Sequence, residues 1–463
     1  MNEKEWHSGV ARVMRLRWFI WSLLGVAFFI SIFHRVALTV VSEQIIGDFQ
    51  LTGAVFGTLV AVYFYIYTFM QIPSGVLADS LGPKLTASLG IALAGIGSII
   101  FGLAPTLGLV FVGRFLIGLG VSVVFIAIMK IQAEWFKTTE FATLSGLTAV
   151  IGGIGSLVAT VPLAFLATTV GWGGSFVAVG IFSLVIAALC FIFVRNSPAA
   201  MGLPTIAKIQ AAERGEHHSS SAGTYQAQKK VSTIKSLKII FGNKYTWPMF
   251  ITFFGFYGPF GAFKSMWSVP WLMHTYGFES TVASSYIFVG ALGVIVGCPL
   301  IGYISDKVIR KRKLPFLVTG LCFLGLWMLV PLWNQGKPPV GVLYPLLFLI
   351  GFFYSAFILT FACVKEVNPA PLAGLATGTA NAGGFLSIAI LQPLLGYLLD
   401  LRWTGVMVNG ARVYPVEAYR VVFLVSGLFV AVGILGLCLS KETNCTNVYH
   451  ELVPSPAIEP QQL

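Results

Sequence analysis

The stretch GVLADSLGPK, residues 75–84, joins two long apolar runs, and GYISDKVIRKRK, residues 302–313, does the same later in the chain. Gly75 and Asp79 return as Gly302 and Asp306, 227 positions on. Trp18 and Arg35 are spaced as Trp247 and Lys264 are, at an offset of 229. Thr148-Ala149, Gly152-Gly153, Pro162 and Trp172 align with Thr379-Ala380, Gly383-Gly384, Pro393 and Trp403, at an offset of 231. A nearly constant offset across separate landmarks marks an internal duplication. The chain therefore reads as two parallel halves.

The apolar runs say what the halves are made of. The 463 residues are 57% hydrophobic and only 10% charged, with a mean hydropathy of +0.86. Soluble domains carry about 25% charged residues, so a water-soluble globule is excluded. Runs of about 20 apolar residues can cross a bilayer as helices, and they lack the alternation of barrel strands. Twelve spans are expected, at roughly 18–41, 54–78, 85–105, 108–133, 142–168, 174–194, 247–273, 283–304, 315–334, 341–364, 372–399 and 419–440. The polar stretch 195–245 divides them six and six, and carries a short amphipathic helix near 230–241. The reading is a six-helix bundle in 1–194, a cytoplasmic linker in 195–245, a second bundle in 246–440 and a disordered cytoplasmic tail in 441–463. The fold class is an all-α membrane protein with twelve transmembrane helices in two pseudo-symmetric bundles.

The net charge of +12 does not point to nucleic acid, because the basic residues cluster in short loops between spans. One set of loops holds the N-terminal arginines, Lys84, Lys137, the linker lysines, Lys307 to Lys313 and Lys365. The other holds Lys337, Arg402, Arg412 and Arg420. The richer set faces the cytoplasm, which places both termini inside and the chain in the plasma (inner) membrane. The six cysteines show no metal-like spacing, so neither metal nor cofactor is expected.

The loop GVLADSLGPK resembles the motif between helices 2 and 3 of the major facilitator superfamily, G-x-L-x-D-x-x-G-x-K, with Gly75, Leu77, Asp79, Gly82 and Lys84 in place. Pro83 departs from it, and the second copy has Ile309 where the motif has its second glycine. RFLIGLG at 114–120 resembles the family's helix 4 motif, whereas the antiporter signature of helix 5 is not matched by GGIGSLVATVP. The resemblance covers nearly the whole chain. It implies a carrier whose halves rock about a midplane site, with Gly75, Asp79, Gly82, Lys84, Gly302 and Asp306 in a gate that latches the inner side. A plain helix-end role for the two aspartates is the alternative.

Four cations lie within spans: Arg35, Arg114, Lys130 and Lys264; no acid does, since Asp79, Glu134, Asp306 and Glu366 stand near cytoplasmic ends. A mid-bilayer charge costs about 2.5–3.5 kcal/mol even on the lenient insertion scale. Cations without carboxylates suggest that an anionic substrate supplies the counter-charge. Arg35 on helix 1 and Lys264 on helix 7 lie at matching depths and read as substrate contacts. The alternatives are a backbone hydrogen bond for Arg35 and snorkelling for Lys264. Lys264 shares a face with Tyr257, Phe260, Trp267 and Trp271. Tyr63, Tyr67, Tyr354, Asn381 and Gln392 can orient a ligand or bond helix to helix. His34, Arg114, Lys130 and Glu134 are candidates for proton movement or coupling. For these, a buried ring, a helix-to-helix tie and an i to i+4 pair are the plainer readings. Gly255, Gly258, Pro259 and Gly261 kink helix 7.

The function expected is transport of a small organic anion by alternating access, in a monomer embedded in lipid. Faint likenesses at WF-KTTE and GTANAGGF leave dipeptides or nitrate-like anions as alternatives. An enzyme would need a convergent catalytic set, and a sensor an output domain larger than this linker and tail.

Overall fold

The computed structural model describes residues 3–137, 140–213, 233–369, 372–408 and 411–452. They form α1 (Glu3–Val40), α2 (Ser42–Phe49), α3 (Gly53–Phe69), α4 (Gln71–Ser80), α5 (Gly82–Gly102), α6 (Leu107–Val121), α7 (Val124–Trp135), α8 (Phe141–Val158) and α9 (Val161–Phe193). Then come α10 (Ile206–Glu213), α11 (Thr233–Gly242), α12 (Thr246–Ala262), α13 (Ser268–Tyr276), α14 (Ser280–Tyr303), α15 (Lys313–Leu332) and α16 (Val340–Tyr354). The chain ends in α17 (Ile358–Glu366), α18 (Ala373–Leu401), the two-residue strands β1 (Met407–Val408) and β2 (Ala411–Arg412), α19 (Val416–Leu439) and α20 (Tyr449–Leu452).

Among the described residues nine helices are long and apolar enough to cross a membrane, or ten when α3 and α4 count as one broken span. The other two expected spans, 142–168 and 247–273, fall where helices are interrupted. The first is divided after α8, and α9 breaks again at Gly171 (φ 76°, ψ 164°). The second is α12 and α13 with a π turn, Phe263–Trp267, between them. The amphipathic linker helix falls on α11.

The chain groups into two compact units, one within Met1–Phe49 and Phe69–Gln226, the other within Gln50–Thr68 and Ala227–Leu463. α3 thus packs with the helices of the second half of the sequence. In the first unit α5 lies against α6 with almost no side chain between them. A Cβ on Gly90 would stand 2.6 Å from the Gly120 carbonyl, and one on Gly97 2.8 Å from that of Gly113. Small residues permit such approach between membrane helices, where packing rather than water drives association. In the second unit α12 is held between α18 and α19, with a core of Phe253, Phe256, Phe316, Phe323, Trp327 and Phe423.

Residues 441–452, read from composition as disordered tail, are instead fastened to the second unit. Glu442 accepts from the backbone N–H groups of Arg312 (2.8 Å) and Lys313 (2.9 Å) at the start of α15. Val448 N–H donates to the Glu366 carbonyl at 2.8 Å, and Asn447 Nδ2 to that of Asn368 at 2.9 Å. A few polar side chains matched to helix ends hold this segment, which average polarity does not reveal. Residues 453–463 lie outside the described residues.

Candidate functional site

Pro259 in α12 has no N–H to give the turn before it. The helix then widens: Ser268 N–H donates to the Phe263 carbonyl, five residues back. Such π turns carry one extra residue and recur at functional sites. Lys264 lies within this one. It is exposed midway along the α12–α13 path, and its ammonium has no hydrogen-bonding or ionic partner among the described residues. Its neighbours Phe263, Met266 and Trp267 are buried.

An aromatic wall adjoins the turn. Tyr354, at the end of α16, stacks on Phe260 with ring centroids 4.2 Å apart, and Tyr257 lies 6.3 Å from Tyr354. Phe385 of α18 bridges Tyr257 at 5.5 Å and Tyr67 of α3 at 4.6 Å, and Tyr67 stacks on Tyr63 at 6.0 Å. Of the sequence candidates, the structure therefore joins Tyr63, Tyr67 and Tyr354 in one buried aromatic cluster, with Phe385 as a keystone not singled out in the sequence. Asn381 is half-buried on α18, one turn before Phe385. Trp267 turns its ring toward Tyr414 at 6.3 Å.

Gln392 is fully buried in α18. Its Nε2 donates to the Ala262 carbonyl (3.1 Å) and to Ser265 Oγ (2.6 Å), both at the π turn. One helical end is closed by Asp400, another residue outside the sequence candidates. Its carboxylate accepts from the N–H groups of Gly53 (3.0 Å) and Ala54 (2.7 Å) at the start of α3, from Arg412 Nη1 (3.0 Å) and from the Tyr414 hydroxyl (2.9 Å). Burial, with Asp400 beside it, holds the Tyr414 phenol well above its usual range, so it remains a donor.

In the first unit His34 is fully buried on α1, its Nε2 3.4 Å from Ser183 Oγ of α9. Arg114 Nη1 donates to the His34 carbonyl at 3.0 Å, tying α6 to α1. Arg35, the next residue, is half-buried. Lys130 Nζ reaches the Ala78 carbonyl at 2.8 Å. Its expected i to i+4 partner Glu134 is exposed and makes no ion pair among the described residues.

The two loop motifs are built differently. Gly82 turns with φ 80°, and the Asn196 side chain packs on it while its Oδ1 accepts from Lys84 N–H at 2.9 Å. Lys84 Nζ lies 4.9 Å from the Phe191 ring centre. In the second copy the left-handed residue is Arg310 (φ 53°), one place later, after a π turn over Ile304–Ile309. That turn absorbs the extra residue, which is why Ile309 can stand at the glycine's position. Asp306 and Glu366 share Arg312, with Glu366 Oε1 2.8 Å from Nη2. The Asp79 side chain lies outside what the structure describes. A Cβ on Gly75 or Gly302 would meet no atom, so packing does not explain those two glycines.

Residues 23–392 match the Major Facilitator Superfamily. The chain is 24% identical over 402 residues to a probable hexose phosphate transport protein of Chlamydia pneumoniae, covering 84% of this chain and 87% of that one. It is 24% identical over 406 residues to the glycerol-3-phosphate transporter of Bacillus subtilis, covering 85% and 88%. A solved bacterial homologue of the human lysosomal transporter Spinster, inward-facing and occupied, superposes with a TM-score of 0.69 at 17% identity, over 95% of this chain and 99% of that one. With the helical architecture and the duplicated loop motif, these matches define the chain as a multi-pass membrane carrier, not an enzyme: it belongs to the major facilitator superfamily.

Proposed function

We propose that this carrier moves a small organic anion, a phosphorylated sugar or polyol first in line, by alternating access. The observation that carries this reading is Lys264: an exposed ammonium in mid-span with no carboxylate partner among the described residues. Leaving it uncompensated in lipid costs about 2.5–3.5 kcal/mol. A phosphate or carboxylate that visits it removes that cost. Arg35 is the second anchor, from its matching place in the duplicated sequence, and its planar fork suits phosphate oxygens. Tyr63, Tyr67, Tyr354 and Asn381 line the path and orient the polyol. The relatives named as a probable hexose phosphate transport protein and a glycerol-3-phosphate transporter support this cargo class. His34 and Arg114 form a structural joint, and Gly75, Asp79, Gly82, Lys84, Gly302 and Asp306 serve the inner gate. The basic loops support a plasma membrane location with both termini in the cytoplasm, and the carrier works as a monomer.

A thermal-shift series on the purified full chain tests this. Glucose 6-phosphate and glycerol 3-phosphate raise Tm by several degrees, since a ligand at a hundredfold its Kd contributes about 2.7 kcal/mol. The rise disappears in Lys264→Met and in Arg35→Ala. Stabilisation that survives both substitutions unchanged sinks the anion-site assignment.

A further inference from the structure

We infer that Gln392 is a positioning residue: by gripping the π turn of the seventh span it aims Lys264, and it does not itself bind the cargo. This rests on the reading of Lys264 as the anion anchor. Ala262 O can only accept, so the amide group facing it is the NH2, and both of its observed bonds go to the turn, at 3.1 Å and 2.6 Å. The amide is fully buried, so no ligand reaches it while those bonds stand. The turn is braced further from within: Ser265 Oγ donates to Ala262 O at 3.3 Å, and Ser268 Oγ to the Lys264 carbonyl at 3.2 Å.

The grip has leverage because side chains of α18 pack directly on glycines of α12 just before it. Any Cβ on Gly258 would collide with Ser387, and one on Gly261 would stand 2.6 Å from Ile388 Cδ1. Gln392 is thus carried on a helix packed closely against the one that holds the turn. A π turn inserts one residue into a helix, and one residue is about 100° of rotation. Without a donor for Ala262 O and Ser265, the turn tightens toward α-helical register. Lys264 then swings from its exposed direction toward the buried one that its neighbours take.

The experiment replaces the six native cysteines by serine or alanine in the full chain and introduces Lys264→Cys. The probe is the anionic thiol reagent 2-sulfonatoethyl methanethiosulfonate, applied to the reconstituted protein. With Gln392 present, Lys264→Cys reacts readily. Adding Gln392→Leu slows it at least tenfold, while Tyr257→Cys, on the regular helix before the turn, reacts at an unchanged rate. Ser265→Ala, which removes the second acceptor with little risk to folding, gives a smaller slowing at Lys264→Cys alone. Equal rates at Lys264→Cys with and without either substitution overturn the positioning role. A parallel fall at Tyr257→Cys does so too, because it marks a general collapse. No reaction at Lys264→Cys with Gln392 intact is a different failure: it removes the anion anchor itself.

Discussion

At Gly82 the backbone turns with φ 80°, and an added Cβ would stand 2.5 Å from Asn196 Nδ2. Left-handed backbone costs an L-residue about 1–2 kcal/mol, so the motif's second glycine is set by backbone geometry as well as by space. The second copy meets the same need with Arg310 at φ 53°. Gly82→Ala should therefore lower Tm in detergent, whereas Arg310→Gly should hold or raise it. Ile309→Gly, which restores the motif's letter at the wrong place, should lower it, because glycine weakens the helical turn that ends there. Differential scanning fluorimetry separates the three, and a stabilising Ile309→Gly would contradict this register. A sequence comparison sees the missing glycine here. It does not see the added residue of the π turn that moves the requirement along by one.

Among elements, the tail and α3 depart most from their reading in sequence. Glu442, beyond the last span, caps α15 across 130 residues of chain. Burial alone would raise its carboxyl. Four backbone N–H groups, led by that of Arg312, instead bring it below the usual range. A depressed folded value means that the charged cap contributes stability above the unfolded value of about 4.3 and that this is lost as pH falls through the folded value. The Tm of the wild type should fall steeply over that acid window. Glu442→Gln should start lower at neutral pH and fall less; parallel curves would contradict the cap. Each of the tail's bonds is specific, so low hydrophobicity gave no hint of them. α3 stands before the linker in sequence, yet its first turn is closed by Asp400 at the far end of α18. The spans themselves were legible, because lipid demands about 20 apolar residues per helix. Their partners were not, because glycine contacts and carboxylate caps depend on the folded backbone. The same limit applies at Lys264: its charge and depth are plain in the sequence, but the π turn that presents it, and the Gln392 amide bonded to that turn, appear only in the folded backbone.

For the whole molecule, the proposed anionic cargo is what answers the Lys264 ammonium at bilayer depth. Uptake of radiolabelled glycerol 3-phosphate and glucose 6-phosphate into proteoliposomes, with choline as the cationic comparison, addresses that in one assay. The prediction is concentrative exchange or uptake of at least one of the two anions, none of choline, and a fall of at least tenfold in Lys264→Met. Efficient choline uptake, or anion uptake indifferent to Lys264→Met, would contradict an anionic cargo held by that ammonium.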